Sequence, residues 1–534
     1  MKKLYYLFLI LAFTACDLQR SPLEAFGEDD FWQSETDAQL VLISLYRGNI
    51  LYNKCEWQPS DWWGPTATVF LDNVSDLGYD RRDFANDLPR ITSGGLQNTN
   101  QAIRALWQQP YIRIAACNAF LENAERIPSS ALMERMKAEA RFIRATQYFY
   151  LASYYGDTPL VTHSVTQDEA NNQKKTSKAE ILEYVIKEFG EAAQNLPRTK
   201  DIQATEIGRA SAQAALAFQA KSYLVAKQYD KVATPLKQII DWGDNELAAD
   251  YATLFTSNEN SSENIFSIQY EDNIAGHGMS QHILPRKDDG WCLVAPAANL
   301  FESYNFDNGD LFSYDDPRFD PADPAKNRDP RLAATLLYNG ATFKGGVYNC
   351  HPEDGKLDKI GSALATKTGF LLRKYFDDGK ILALQSYGAN LPIIRYSDVL
   401  LMYLEGELES GKPVTQELLD MTINRVRARV NMPGITTTNP DEVRARLRNE
   451  RKVELAYEGW RLWDLFRWGI AEQELNKDIY GAVFQVKDSN IIRKKKGQAD
   501  VYGRWYVNTR SFKKGQEVWP IPQAEIDINP DLGD

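Results

Sequence analysis

Residues for metal and redox chemistry are scarce. Four histidines and five cysteines are spread through 534 residues. His163, His277, His282 and His351 form no ligand cluster. Cys55, Cys117, Cys292 and Cys350 include no close pair, so neither a zinc knuckle nor a redox dithiol is expected. One or two disulfides stay open for an exported chain. No His-Glu-x-x-His, no Gly-x-Ser-x-Gly and no phosphate loop closing on Lys-Ser/Thr occurs, which removes three common enzyme classes. Positive charge is not in surplus either. The net charge is -12, and nucleic acid, which demands a basic footprint, is excluded as a partner. Long apolar runs are missing too: Leu4 to Phe13 is ten residues, short of the about 20 that span a bilayer.

That short run is informative in another way. Lys2 and Lys3 precede it, and Thr14-Ala15-Cys16 follows with a small residue just before a cysteine. The pattern reads as a signal peptide over residues 1–15 and resembles the lipobox of bacterial lipoproteins, with Phe13 where Leu is usual. Cys16 is then the lipid anchor and the body lies outside the bilayer. Acyl chains contribute about 0.8 kcal/mol per buried CH₂, enough in combination for stable anchoring.

Helical spacing dominates the body. Ser34 and Asp37 suggest an N-cap, and Ala38, Val41, Leu42, Leu45 and Tyr46 then share a face. Residues 51–100 have no sustained period and read as long irregular loops rich in Trp, Asp, Asn and Gly. Helices return over 100–155, with Pro110 a kink, and again after the Ser177–Glu180 capping box. An alanine-rich run from about Thr205 permits close helix packing. Asn439, Pro440 and Glu442 open a last helix expected to reach about Trp468. The expected fold is mainly α, a tetratricopeptide-like scaffold of helix pairs over about 30–230 and 391–534. The loop-rich part between, about 231–390, carries short strands such as Ile265 to Tyr270.

Several landmarks converge on one family. They include Lys137 to Ala145 leading to Tyr155-Gly156-Asp157-Thr158-Pro159, then Arg328-Asp329-Pro330-Arg331 and Ile394 to Met402. The longest are Glu450 to Gly469 and Pro520 to Pro530. In order and spread, they resemble the SusD/RagB family of surface lipoproteins. The resemblance implies a helical scaffold with a variable loop face, no catalysis, and residence on the outer membrane facing outward. It also implies a glycan ligand and a SusC-like TonB-dependent transporter as partner. Peptide uptake through the same kind of transporter is the alternative, and a lipoprotein hydrolase a distant third, lacking any nucleophile constellation.

Within the C-terminal motif, Glu450, Glu454 and Glu458 recur every four residues and would repel one another if alone. They read as part of a buried ion network with arginines rather than as a catalytic pair. Arg395 and Asp398, Arg461 and Asp464, and Arg141 and Arg144 fit the same role.

Sugars present hydroxyls and flat, weakly apolar C–H faces, so a glycan site needs aromatic platforms beside planar polar groups. Candidates in the first loop region are Trp62, Trp63, Asp72, Asn73, Tyr79 and Arg81. In the second they are Asp289 and Trp291. Adjacent residues of an extended chain face opposite ways, so only one of Trp62 and Trp63 is expected to meet ligand. No cofactor is expected. A structural calcium has room among the Asp/Asn-rich loops, although none matches an EF-hand loop.

Overall fold

The helices begin where a cap and an apolar stripe coincide. A computed structural model describes residues 31–47, 59–256, 259–379, 384–498 and 500–533. The signal segment, Cys16 and Cys55 lie outside the described residues. Helix α1 (Glu35–Arg47) starts on Ser34, whose hydroxyl accepts the Asp37 N–H. Residues 51–100 are less irregular than their composition suggests, for they contain α2 (Pro65–Asn73) and β1 (Gly78–Asp80). All nine residues of α2 are buried. A helix covered on every side needs no amphipathic period, which is why periodicity missed it.

Asn100 caps α3 (Gln101–Ala124), accepting from the Ala102 and Ile103 amides. Ser130 caps α4 (Ala131–Tyr154), and the reciprocal Ser177–Glu180 box opens α5 (Lys178–Asn195). Ser211 caps α6 (Ala212–Val225), where Ala214, Ala215, Ala217 and Ala220 are buried and let neighbours approach closely. Helix α7 (Tyr229–Trp242) ends on Gly243 in the left-handed conformation. Each of α3 to α7 packs on the next.

A loop-rich segment follows, with β2 (Asn264–Ile268) near its start and β3 (Val294–Pro296) further on. Strand β4 (Leu391–Arg395) leads directly into α8 (Tyr396–Glu409), which packs back onto α7. The loops are thus inserted between consecutive layers of one helix stack. Antiparallel pairing of β2 with β4 sews the insertion shut at its base. The architecture is mainly α, tetratricopeptide-like, with short strands.

Asn439 caps α9 (Pro440–Glu454), which stops well before Trp468. Tyr457 and Gly459 adopt φ of 63° and 82°, and α10 (Arg461–Arg467) starts afresh. A Cβ on Gly459 would also sit 3.2 Å from the Thr68 Cα of α2, so the glycine serves both conformation and contact. Beyond it, β5 (Asp478–Val483) and β6 (Arg504–Thr509) form a hairpin where helix was expected.

The acids of the C-terminal motif are buried and paired. Arg331 donates to Glu450 at 2.6 Å and Glu454 at 2.9 Å. Arg395 reaches Glu454 at 3.0 Å, Glu458 at 2.6 Å and also Glu263. Arg427, Arg429 and Lys374 complete the set, at 2.9 Å from Glu450, 2.6 Å from Glu454 and 2.6 Å from Glu458 respectively. Partners differ in detail from those the spacing suggested. Asp398 pairs with Lys221 and Arg451, while Arg461 pairs with Asp76 at 2.8 Å. Arg144 is buried against Glu188, whereas Arg141 is half-exposed and pairs with Glu191 at 3.1 Å. Cys117, Cys292 and Cys350 are free thiols.

Removing one member of such a network strands the others. Arg395→Met would leave three buried carboxylates short of a partner and should cost roughly 3–5 kcal/mol. Urea unfolding measures this, and a loss below about 1 kcal/mol would mean solvent reaches the network.

Candidate functional site

The first candidate loop turns inward. Trp62 and Trp63 occupy a turn just before α2, not an extended strand, so the opposite-facing rule does not apply. Both rings are buried, at 4% and 2% exposure. Trp62 stacks on Tyr150 at 4.8 Å and 3°, and its indole N–H donates to the Leu106 carbonyl. Trp63 lies under the Arg113 guanidinium, itself paired with Asp61 at 2.7 Å. Neither can serve as a platform.

Asp72, Asn73 and Tyr79 are corrected in the same way. Asp72 is fully buried and accepts the Gly459 and Arg461 amides at 3.1 and 2.9 Å. Burial outweighs those two hydrogen bonds and, with the charges of Glu458 and Asp464, pushes its carboxyl up to about 7. Asn73 accepts from the Ala295 amide and the Tyr457 hydroxyl and donates to the Leu293 carbonyl. Tyr79 is buried, donates to Asp83 and accepts from Asn508, and burial raises its phenol well above the usual range. These three lie beneath the loops and tie them to the C-terminal motif.

Asp289 is exposed, and Arg81 and Trp291 are partly so. Strands β1 and β3 pair antiparallel, Asp80 opposite Val294, and the Arg81 amide continues the ladder onto Leu293. Two loops 200 residues apart in sequence thereby become neighbours. Trp291 is half-buried, edge-on to buried His282 at 5.3 Å. His282 in turn meets Phe70, whose other face is covered by the Arg82 guanidinium at 5.0 Å. Asp289 is exposed at a left-handed turn, φ 61°, where its carbonyl accepts from Gln281.

Residues not singled out by the sequence complete this face. Asp358 accepts the backbone N–H groups of Arg286 and Lys287, Lys344 pairs with Asp288 at 3.2 Å, and Arg81 reaches the Ala363 carbonyl at 3.5 Å. No local spacing could have joined positions 81, 289, 358 and 363. Only the strand pairing brings them together. A separate cleft of about 830 Å³ opens beside Tyr46, Arg209, Gln269 and Tyr270 and shares no residue with this face. Its cations are already paired with carboxylates, Arg135 and Arg209 both binding buried Glu139.

Residues 253–533, more than half of the chain, match the SusD family. The chain belongs to that family. Residues 81–224 match a second SusD-like group described as starch-binding and associating with the outer membrane. A SusD-like carbohydrate binding protein of Bacteroides fragilis is 45% identical, with a TM-score of 0.92 over 94% of this chain and 99% of that one. SusD-like protein P25 of Formosa agariphila is 26% identical, spanning 99% of this chain and 96% of that one. Starch-binding protein SusD of Bacteroides thetaiotaomicron is 24% identical over 72% and 73% of the two chains. SusD proteins are outer-membrane lipoproteins that bind without catalysis and pair with SusC transporters.

Within a SusD scaffold, Trp62 belongs to the core. Trp62→Ala should destabilise the protein by about 3–5 kcal/mol, the usual range for emptying a large aromatic site. Thermal melts followed by circular dichroism test this. An unchanged melting temperature would return the ring to the surface.

Proposed function

We propose that this SusD-family protein captures glycan at the cell surface and passes it to a TonB-dependent transporter, with Trp291 the aromatic platform and Arg81 and Asp289 its polar partners. The observation that carries the reading is that the β1–β3 pairing sets the segment of Arg81 beside the segment that carries Asp289 and Trp291. The carbohydrate-binding relative from Bacteroides fragilis supports the ligand class, because its likeness extends across the loops and the scaffold alike.

The chemistry fits. A half-buried indole is held by its packing against His282 before ligand arrives, so little side-chain entropy is lost on binding. Flanking guanidinium and carboxylate groups match the donors and acceptors of ring hydroxyls. Stacking on an aromatic contributes about 1–3 kcal/mol in the analogous case of nucleic-acid bases. Trp291→Ala should therefore weaken glycan binding by a factor of about 5–150 while the melt stays close to the parent's. Calorimetric titration with a polysaccharide panel measures it. Tight peptide binding with no glycan response would assign the face to peptide uptake.

Cys16, following Thr14-Ala15, is proposed as the lipid anchor, supported by the family's lipoprotein character. Protease added to intact cells should degrade the protein if it faces outward. Protection there would put it on the periplasmic side of the membrane.

A further inference from the structure

The face that carries Trp291 continues into a cluster of cations drawn from distant parts of the chain. Arg81 reaches the loop that contains Lys367 through the Ala363 carbonyl. That loop docks on the C-terminal hairpin, where the Ala482 amide donates to the Thr368 carbonyl at 2.7 Å. Arg493 joins the same hairpin: its carbonyl accepts the Tyr506 amide, and its guanidinium lies 5.7 Å from the Tyr506 ring. Two residues along β6, Asn508 donates to both Tyr79 and Asp83 at 3.0 Å, closing the circle back to Arg81.

The acids around this cluster are engaged elsewhere. Asp80 holds Arg82 at 2.5 Å, Asp478 holds Lys495 at 2.8 Å, and Asp500 holds Arg504 at 2.8 Å. Asp83 faces the cluster, yet its Oδ1 already accepts from Tyr79, Asn508 and the Phe84 amide. Among the described residues, no carboxylate lies within 4.0 Å of Arg81, Lys367 or Arg493. The Arg81 Nε is buried without a hydrogen-bond partner. Burial, then the positive charges of Arg81 and Arg493, hold the Lys367 ammonium below the usual lysine range. Arg81 is depressed too, by burial first, with Arg286 among its like-charged neighbours. Asp83 and Asp80 offset this in part, but cations gathered with no carboxylate in direct contact favour an anion from outside.

We propose that the glycan taken by this face is an anionic polysaccharide, its uronate carboxylates or sulfate esters bound by Arg81, Lys367 and Arg493 while Trp291 stacks on a sugar ring. This rests on the glycan-binding reading above and narrows it to a charge class. Uronate and sulfate share planar or tetrahedral oxyanion chemistry that guanidinium forks and an ammonium accept equally.

The test titrates the full chain in detergent with polygalacturonate, a sulfated carrageenan and neutral laminarin, at low and high salt. The expected result is binding of at least one acidic glycan at least tenfold tighter than laminarin, weakening steeply as salt rises; which acidic glycan wins separates carboxylate from sulfate. Arg493→Ala, a change at an exposed position, should weaken acidic-glycan binding at least threefold without moving the melt. Lys367→Ala should weaken it further and Lys367→Arg should restore it. Laminarin bound as tightly as either acidic glycan, with no salt dependence, would overturn the charge class and leave glycan binding standing. Binding to peptides and to none of the three glycans would overturn both. Binding to anionic phospholipid vesicles but to no acidic glycan would make the cluster a membrane contact and overturn the inference.

Discussion

The buried ion network around Glu450, Glu454 and Glu458 is the constraint on which the rest of the fold depends. Its cations come from every part of the second half: Arg331 and Lys374 from the insertion, Arg395 from β4, Arg427 and Arg429 from the helix before α9. Charges taken out of water recover their solvation only when geometry and hydrogen bonds are nearly complete, so the network contributes little net stability against an apolar equivalent. What it contributes is position. An insertion held by Leu and Val contacts alone could slide. One whose Arg331 must meet two carboxylates and whose Lys374 must meet Glu458 cannot.

That positional control is transmitted outward to the loop face through a short chain of hydrogen bonds. Immediately after Glu458, the backbone turns through Gly459 and gives its amide, and that of Arg461, to Asp72. Asn73, the next residue of α2, holds the Leu293 carbonyl and the Ala295 amide and so sets β3 against β1. Arg81 and Trp291 both lie beyond the Asp80–Val294 end of that pairing. The motif that identifies the family thus lies beneath the proposed binding face and fixes the strands from which its loops leave. The loops above can vary while their roots stay in place.

The scaffold was legible in the sequence because its signals are local. Ser177 and Asn439 cap the helices their positions suggested, and the spacing of Glu450, Glu454 and Glu458 announced compensating arginines. Two local signals misled. Helix α2 has no apolar stripe because it has no exposed side, and the run from Asn439 to Trp468 hides a break at Tyr457 that only the contact between Gly459 and Thr68 explains. The binding face was legible only in part. Trp, Asp and Asn in a loop describe a sugar platform and a hydrogen-bonded core equally well, and Trp62, Asp72 and Asn73 proved to be core. Arg81, Asp289 and Trp291 kept their exposure because each sits at or beyond the end of a strand, where chain direction changes.

The interior network also bears on the meaning of the overall charge. Inside, carboxylates and cations are matched nearly one for one, as with Glu450, Glu454 and Glu458 against Arg331, Arg395, Arg429 and Lys374. A near-neutral interior leaves the net charge of -12 on the surface. Beyond a Debye length of about 8 Å in physiological salt the charge of such a surface is largely screened, so an approaching polyanion responds to the charges within that reach, and a local cation cluster attracts it there. Arg81, Lys367 and Arg493 would then do more than bind. They would make one face the sole approach for an acidic chain, so that steering and recognition fall at the same place. This is also the face whose roots are held most rigidly by the C-terminal motif. A long polymer bound there as proposed would meet side chains whose backbone is already held by the fold, so that part of the ordering cost would have been met in folding.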